Sequence, residues 1–325
     1  MKGKWIAMLA ILCTWLPLAQ ASETVLRVGQ QKGLTKAMLE AAGQLEDLPY
    51  RLEWAEFAAS AFTLEAMGAD QIDVATVGDG PLIFAAGAGA PIRPIASVRL
   101  VDRSEGNVIL VRNDSGINSI ADLRGKRIAT TRGSSGHQLL LAALQQAGMS
   151  TADVQLSLLA PADGKSAFDA HAVDAWAIWQ PYVAIARSRG DVKVLINSNG
   201  LLSEYGFVAA NENAIGNKRA ALDDFIKRLD AATRWSDQHE QAYLDIQSRL
   251  TGLSVEILRS VRQSMSPEIG PLTPAAVAGL QQTLTLYRDT GLLRRELGIG
   301  DFFDAALVER YRSEQPHGHA QRTAP

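Results

Sequence analysis

Short runs of apolar and β-branched residues alternate with apolar residues at helical spacing along most of this 325-residue chain. The runs predict strands over residues 25–29, 50–56, 72–77, 92–101, 107–111, 126–131, 154–159 and 174–179. The helical spacing predicts helices between them over residues 34–45, 60–68, 120–123, 139–147 and 166–172, and a further helix opened by Pro181. This alternation is typical of a mostly parallel α/β fold.

The C-terminal third of the chain has almost wholly helical spacing. It predicts helices over residues 218–239, 243–251, 254–263 and 274–290, which we expect to pack around the sheet. Residues 313–325 contain few apolar side chains and are predicted to form a flexible tail. His317 and His319 in this tail are too isolated to predict a metal site.

The first residues have the features of a secretory signal. Lys2 and Lys4 precede an apolar run over residues 5–18, and Ala19-Gln20-Ala21 matches an A-x-A cleavage site. The run is shorter than the roughly 20 residues that a membrane-spanning helix needs. We therefore predict that residues 1–21 form a cleaved signal peptide and that the mature chain starts near Ser22.

Composition narrows the classes of function. With 47% hydrophobic and 21% charged residues, the chain can bury a large core that we expect to divide into two lobes. Cleavage would remove Cys13, the one cysteine, which argues against thiolate metal sites, cysteine nucleophiles and disulfides. It would also remove two lysines and leave a formal charge of −5, so nucleic acid is not expected as a partner. The sequence predicts no metal and no cofactor.

Four predicted strand-to-helix junctions share one design, in which small or polar residues end a strand and open a helix. They are Gln30-Gln31-Lys32-Gly33, Gly78-Asp79-Gly80-Pro81, Gly133-Ser134-Ser135-Gly136 and Trp179-Gln180-Pro181-Tyr182. Ligands of open α/β sheets bind outside the carboxyl ends of the strands. If the first two junctions belong to one lobe and the last two to the other, helix N-termini from both lobes face a small solute across a cleft.

The turn over residues 132–138 is the best candidate for an anion site. Ser135 and Gln138 have the spacing of a capping box, and Gly148 is placed to end the helix. Backbone N–H groups at the start of the helix would then point outward at its positive end, where a small anion is stabilised. A capped junction with nothing bound fits the same residues, so the turn alone does not decide between the two.

A series of segments follows a known pattern in order along the chain. They are Val28-Gly29-Gln30-Gln31-Lys32-Gly33, Trp54-Ala55-Glu56-Phe57, Leu64-Glu65-Ala66, Ile72-Asp73, Gly78-Asp79, Leu123-Arg124-Gly125-Lys126-Arg127-Ile128-Ala129, Gly133-Ser134-Ser135 and Asp174-Ala175-Trp176-Ala177-Ile178-Trp179. Together they resemble the aliphatic-sulfonate-binding proteins of ABC importers, from about residue 24 to residue 311.

The resemblance implies an α/β fold of the type II periplasmic binding protein class, with two α/β lobes joined by two hinge crossovers and a ligand cleft between them. Lobe I would comprise residues 24–107 and 208–312 and lobe II residues 108–207, with hinge strands near 107–111 and 205–209. It also implies a monomeric periplasmic receptor, not an enzyme, which delivers its ligand to a membrane permease and an ATPase for sulfur acquisition.

A sulfonate suits the candidate residues chemically. The group keeps one negative charge at physiological pH and offers three acceptor oxygens and no donor, so its site should consist of donors. The predicted polar contacts are Gln31, Gly78, Ser134, Ser135, Gly136 and Gln180, through backbone N–H groups, hydroxyls and amides. Trp179, with Phe207 and Phe57 behind it, would form an apolar wall for the organic part, although plain packing is the alternative for Trp179. Trp176 is expected in the core.

Two further residues have more than one interpretation. His137, in the first turn of the predicted helix, either hydrogen-bonds a ligand, directly or through a neighbour, or is structural, and no Gly-x-Ser-x-Gly elbow supports a catalytic role. Asp79 is either the N-cap of its helix or a partner for a ligand hydroxyl or amine, which would favour a taurine-like ligand.

The chain also departs from the family pattern. Residues 57–61 lack the Pro and Gly-Pro residues common at that junction, and Gln180 stands where an Asp is common. Taurine, sulfate esters, aryl sulfonates and nitrate therefore remain alternative ligands. The alternative from another class is an enzyme resembling the pyrimidine-forming enzymes of thiamin synthesis, against which the secretory signal and the absence of cysteine from the mature chain argue.

Overall fold

The computed structural model describes residues 23–31, 34–101, 105–293 and 295–314, whose strands form two sheets. In chain order the strands are β1 (Val25–Gln30), β2 (Arg51–Glu56), β3 (Val74–Gly78), β4 (Ile92–Val101), β5 (Asn107–Arg112), β6 (Arg127–Thr130), β7 (Gln155–Leu158), β8 (Ala175–Trp179), β9 (Val192–Asn197), β10 (Tyr205–Asn211) and β11 (Ser266–Gly270). One sheet has the order β11-β4-β10-β3-β1-β2 and the other the order β7-β6-β8-β5-β9.

Helices connect the strands and cover the sheets. They are α1 (Leu34–Ala41), α2 (Ser60–Gly68), α3 (Asp79–Gly87), α4 (Ser135–Gln146), α5 (Pro161–Asp169), α6 (Tyr182–Arg187), α7 (Glu212–Asn217), α8 (Arg219–Gln238), α9 (Glu240–Thr251), α10 (Val255–Gln263), α11 (Pro274–Asp289) and α12 (Ala305–Glu314). Short 3-10 helices occur at Ile120–Leu123, Thr151–Asp153 and Ile299–Asp301. Over the described ranges, none of the helices has the length and hydropathy needed to span a bilayer.

Each sheet has a parallel centre and antiparallel additions. In the first sheet β1 pairs in parallel with β2 and β3, and in the second β6 pairs in parallel with β7 and β8. β10 runs antiparallel to β3 and β4, and β5 runs antiparallel to β8 and β9. The predicted α/β class is confirmed. The chain changes sheet between β4 and β5 and again between β9 and β10, while the exact lobe limits stay a prediction.

Three apolar clusters hold these layers together. The first runs through α3, α4 and α11 and joins the two sheets, with Ile83, Leu140 and Leu280 fully buried. The second lies between the first sheet and α1, α8 and α9. The third packs α5 and α6 against the second sheet around Trp176, which is buried as expected.

The predicted elements differ from the structure mainly at the ends of helices and at the edge strands of the sheets. The helix predicted over residues 34–45 ends at Ala41, followed by Gly43 in the left-handed region at φ 66°. Strands β9 and β11 were not predicted; both are edge strands, and β11 has the sequence Ser-Pro-Glu-Ile-Gly, which carries little strand signal. Ser313 and Glu314, predicted as tail, end α12. The predicted signal peptide, residues 1–21, and His317 and His319 lie outside the described residues.

Candidate functional site

A cleft of about 320 Å³ lies where the ends of β1, β3 and β8 meet the starts of several helices. Residues on both sheets line it. Its polar lining residues are Gln30, Gln31, Thr35, Ser60, Thr63, Thr76, Asn107, Ser134, Ser135, Gln180, Tyr182, Thr233 and Tyr243. No charged side chain belongs to the lining within the described part of the chain. The cleft is therefore a neutral site with many hydrogen-bonding groups, next to apolar walls.

The start of α4 supplies the most concentrated set of donors. Ser134 is the N-cap, and its Oγ accepts a hydrogen bond from His137 N at 3.2 Å. The predicted capping box of Ser135 and Gln138 is wrong by one residue, because Ser134 takes the cap and the amide of Gln138 turns into the protein. Gly133 has φ 67°, which suits glycine, and packs against the ring of Phe84.

Two backbone N–H groups in this turn are available to a ligand. Ser134 N donates to Thr131 O at 3.1 Å, so that N–H, predicted as a ligand donor, is already used. Ser135 and Gly136 are the first two residues of α4, and their N–H groups have no acceptor among the described residues. The hydroxyls of Ser134 and Ser135 likewise donate to no acceptor among those residues.

The end of β8 places an aromatic wall beside these donors. Trp179 is half-buried and lies edge-on to Tyr182, with the ring centres 6.2 Å apart. Gln180 also lines the cleft, but its amide is occupied: Nε2 donates to Glu105 O at 3.2 Å and to Ser264 Oγ at 2.9 Å, and Oε1 accepts from Ala184 N at 3.1 Å. Gln180 therefore links the second sheet to the end of α10 in this structure, instead of offering free donors.

The first sheet contributes the opposite wall. Gln31 Nε2 donates to Ser60 Oγ at 2.9 Å, which ties the end of β1 to the start of α2. Gly78 ends β3 and is paired with Gly206 of β10. A Cβ on Gly206 would stand 2.8 Å from Val77 O, so glycine is required at this pairing and leaves space above it.

Four of the predicted site residues do not line the cleft. Asp79 is 1% exposed, and its carboxylate accepts from Thr283 Oγ1 at 2.6 Å, Gly80 N at 2.9 Å and Gln138 Nε2 at 3.3 Å. It is the first residue of α3 after the N-cap Gly78, so the N-cap interpretation was wrong by one residue. Phe207 is fully buried against Phe303, with the ring centres 6.1 Å apart.

The Cα of Gly136 and the side chain of His137 also face away from the cleft lining. Gly136 presents its Cα to β8, where a Cβ would meet Ala177 O at 2.5 Å. His137 is buried, and its Nδ1 accepts from Gly133 N at 3.2 Å. Burial and the nearby charge of Arg132 lower the pKa of His137 to about 4. The imidazole is therefore neutral at neutral pH and holds the turn that carries the serines.

Asn107 is a cleft residue that sequence reasoning missed. Its side chain is 4% exposed, and its Oδ1 has no hydrogen-bond partner among the described residues. A buried amide without a partner costs free energy unless a ligand or water pairs with it. The Nδ2 of the same amide donates to no acceptor among the described residues, so this side chain can offer an N–H to an anion. Its place beside Gly106 at the start of a strand was the available signal.

Comparison with known proteins gives the site its context. A family model described as NMT1/THI5 like matches residues 52–242. An aliphatic sulfonates-binding protein of Escherichia coli K12 is 34% identical over 301 residues, covering 90% of this chain and 93% of that protein.

Solved structures agree with this likeness. The periplasmic aliphatic sulphonate binding protein SsuA from Escherichia coli matches with a TM-score of 0.76 at 31% identity, over 87% of this chain and 93% of that one. The alkanesulfonate-binding protein SsuA from Xanthomonas axonopodis pv. citri, bound to MOPS, matches with a TM-score of 0.80 at 28% identity, over 87% of this chain and 99% of that one. The predicted periplasmic binding protein fold is thereby confirmed.

Proposed function

The chain belongs to the NMT1/THI5-like family and, within it, to the aliphatic-sulfonate-binding proteins, and from this premise we propose that its cleft captures a sulfonate for delivery to an ABC importer. The observation that carries the proposal is the free pair of N–H groups at Ser135 and Gly136, beside two serine hydroxyls and an apolar wall. No positively charged side chain is needed to bind a monoanion, because α4 holds these neutral donors in fixed positions.

The head group would be held by hydrogen bonds from neutral donors. Each bond to a charged acceptor contributes roughly 1.5 to 3 kcal/mol, and the positive end of the 12-residue helix α4 adds to them. Asn107 would contribute an amide N–H from the facing wall. A phosphate carries a proton or a second charge near neutral pH, whereas a sulfonate is a monoanion with acceptor oxygens alone at any physiological pH and matches a site made of donors.

The two sheets would be the two lobes of the receptor. We propose lobe I over residues 24–107 and 208–312 and lobe II over residues 108–207, with the crossovers as hinges. Closure on the ligand would bring Ser134, Ser135 and Trp179 of lobe II against Gln31 and Gly78 of lobe I. The bond from Gln180 Nε2 to Ser264 Oγ, 2.9 Å long, would hold the lobes in the closed arrangement.

The cellular role follows from the same membership. We propose that residues 1–21 direct export to the periplasm, where the mature monomer presents its ligand to a permease and its ATPase. The protein would bind without turnover, because the cleft offers neither a charged acid or base nor a nucleophile with a neighbouring base within the described ranges. Taurine would bind poorly, since its ammonium group finds no carboxylate among the lining residues that the structure describes.

Thermal unfolding of the mature protein from Ser22 tests this proposal. Ligand at 100 times its Kd stabilises a protein by about 2.7 kcal/mol, which shifts the Tm by several degrees. We expect shifts with butanesulfonate and hexanesulfonate and little or none with taurine, nitrate or sulfate. Shifts with nitrate or an alkyl sulfate and none with any sulfonate would contradict the proposed ligand, and turnover of a bound sulfonate would contradict the receptor role.

A further inference from the structure

A second cavity, of about 300 Å³, lies between α4 and α11. We call it the back groove and define it by Gln138, Ala142, Gln145, Gln282, Thr283 and Thr285. None of these six residues lines the cleft. Because α4 follows a strand of the second sheet and α11 follows a strand of the first, the back groove separates parts of the two proposed lobes.

A buried set of hydrogen bonds joins α4 to the first sheet's helices at the deep end of the back groove. Gln138 Nε2 donates to Thr283 Oγ1 at 2.9 Å and to Asp79 Oδ2 at 3.3 Å, and Thr283 Oγ1 donates to Asp79 Oδ2 at 2.6 Å. All three side chains are buried, in an interface that is otherwise apolar around Leu140 and Leu280. Breaking these bonds would leave buried polar groups without partners, so we expect this contact to persist while its surroundings move.

The contact divides α4 into two parts. Ser135 and Gly136, which offer their N–H groups to the cleft, lie before Gln138, and Gln145 lies roughly 10 Å beyond it along the helix. Gly136 packs against Ala177 of β8, so α4 moves together with the second sheet. A rotation about Gln138 that carries Ser135 away from the first sheet therefore carries Gln145 towards α11 and narrows the back groove.

Two buried polar atoms beside this contact have no partner in the described part of the chain. They are Gln138 Oε1 and the hydroxyl oxygen of Tyr287, and both pack so closely on Gly80 that a Cβ there would collide with each. Unpaired buried polar groups are unfavourable. A small rotation that brings the Tyr287 hydroxyl to Gln138 Oε1 would pair both atoms, which favours opening in the absence of ligand.

We infer that Gln138 and Thr283 are positioning residues that form the pivot between the two proposed lobes, and that the back groove is the space taken up when the cleft opens. This inference rests on the proposed function and adds residues that set its affinity from outside the cleft. Any group that fills the back groove should hold the protein closed. If the closed form is about 10% populated without ligand, holding it closed should lower the Kd about tenfold.

Filling the back groove tests the inference on the mature protein. Thr285 is half-buried, and Thr285→Trp places a large side chain in the groove from α11. Calorimetry with hexanesulfonate should give a Kd about tenfold below that of the wild type. Small-angle X-ray scattering should give the ligand-free variant the smaller radius of gyration of the ligand-bound wild type. Arg288→Trp is the matched control, because Arg288 is 62% exposed on the same helix and lies outside the groove lining; it should behave as the wild type.

A second pair of variants tests the pivot. Thr283→Val keeps the shape of the side chain and removes its hydroxyl, whereas Thr283→Ser keeps the hydroxyl. Without the bond from Gln138, the donors of α4 lose their fixed position relative to the first sheet. Thr283→Val should therefore raise the Kd for hexanesulfonate about tenfold, the equivalent of one buried hydrogen bond, and Thr283→Ser should restore it. Equal Kd values in these two variants would overturn the role of the pivot.

The outcomes separate the inference from the proposed function. Tighter binding and a compact ligand-free form in Thr285→Trp, with neither change in Arg288→Trp, support the pivot and the groove. Unchanged or weaker binding overturns them, and so does a ligand-free wild type as compact as the ligand-bound protein. If Thr285→Trp does not fold, Gln145→Trp fills the same groove from α4 and takes its place. If no variant and no wild type binds any sulfonate, the proposed function fails, and a ligand-free Thr285→Trp no more compact than the wild type then overturns the inference as well.

Discussion

Replacing Ser134 by alanine removes one hydroxyl that has two separate roles. Ser134 caps α4 by accepting from His137 N at 3.2 Å, and its side chain lines the cleft. Its own O–H reaches no acceptor among the described residues, so that proton is the one we assign to the ligand. The two roles predict two effects that can be measured independently, one on stability and one on affinity.

The magnitudes follow from each role. Loss of a serine N-cap costs about 1 kcal/mol of unfolding free energy, which lowers the Tm of a chain of this size by roughly 2 to 4 °C. Loss of one hydrogen bond to a charged acceptor costs roughly 1.5 to 3 kcal/mol of binding free energy. That corresponds to a rise in Kd of about 10- to 150-fold.

A matched control separates these effects. Ser254 caps α10 with the same geometry, accepting from Ile257 N at 3.3 Å, and lies outside the cleft lining. Ser134→Ala and Ser254→Ala should lose similar stability in thermal unfolding, while calorimetry with hexanesulfonate should detect weaker binding only in Ser134→Ala. If Ser134→Ala loses stability but binds hexanesulfonate with an unchanged Kd, the reasoning about the head-group site is refuted.

Three further predictions concern the cleft and the scaffold. Asn107→Asp places a carboxylate against a monoanion and should weaken hexanesulfonate binding at least tenfold by calorimetry, whereas unchanged binding would remove Asn107 from the site. Burial opposes the charge of Asp73, but hydrogen bonds from Arg27 and Lys218 outweigh it and keep the pKa of the Asp73 carboxyl below its usual value. The stability that the ionised Asp73 carboxyl contributes to the fold is therefore present above about pH 4 and is lost as the pH falls further. Asp73→Asn should lower the free energy of unfolding in urea at pH 7 by about 3 kcal/mol and leave the Kd for hexanesulfonate unchanged. A loss near zero would contradict a stabilising role for the bonds from Arg27 and Lys218 to Asp73. Burial lowers the pKa of His137 to about 4, so between about pH 4 and 6.5 the folded protein binds fewer protons than the unfolded chain. The free energy of unfolding, measured in urea, should therefore fall as the pH is lowered through that range. It should fall less in His137→Gln, and an equal fall in both proteins would contradict the role of His137.

The strand ends could be predicted from sequence because their signals are local. Small and polar residues at the end of a strand mark the approach to a helix, and three of the four predicted junctions bring Gln31, Gly78 and Ser134 to one cleft as expected. The fourth brings Trp179 there as well. This part of the site depends on strand order alone, since parallel strands end at the same edge of a sheet.

The directions of individual side chains could not be predicted in the same way. A helix turns by 100° per residue, so moving the cap from Ser135 to Ser134 turns Gln138 and His137 away from the cleft. In β10 the alternation of faces sends Gly206 to the cleft and Phe207 to the core, and nothing in the strand itself fixes that choice.

The apolar lining of the cleft could not be predicted for a different reason. Met38, Val98, Leu229, Tyr243 and Ile269 lie on five different elements, and each looks like an ordinary core residue in its own helix or strand. Only their packing leaves a space between them. Asn107 is similar, because its lack of a partner depends on the surrounding fold and not on its neighbours in the chain.

A crystal structure of the mature protein with hexanesulfonate tests the central claim most directly. The account predicts that sulfonate oxygens lie within hydrogen-bonding distance of Ser135 N and Gly136 N, with the chain directed past Trp179. A sulfonate bound elsewhere in the cleft, for example at the start of α1 or α2 with the α4 turn left free, would contradict it.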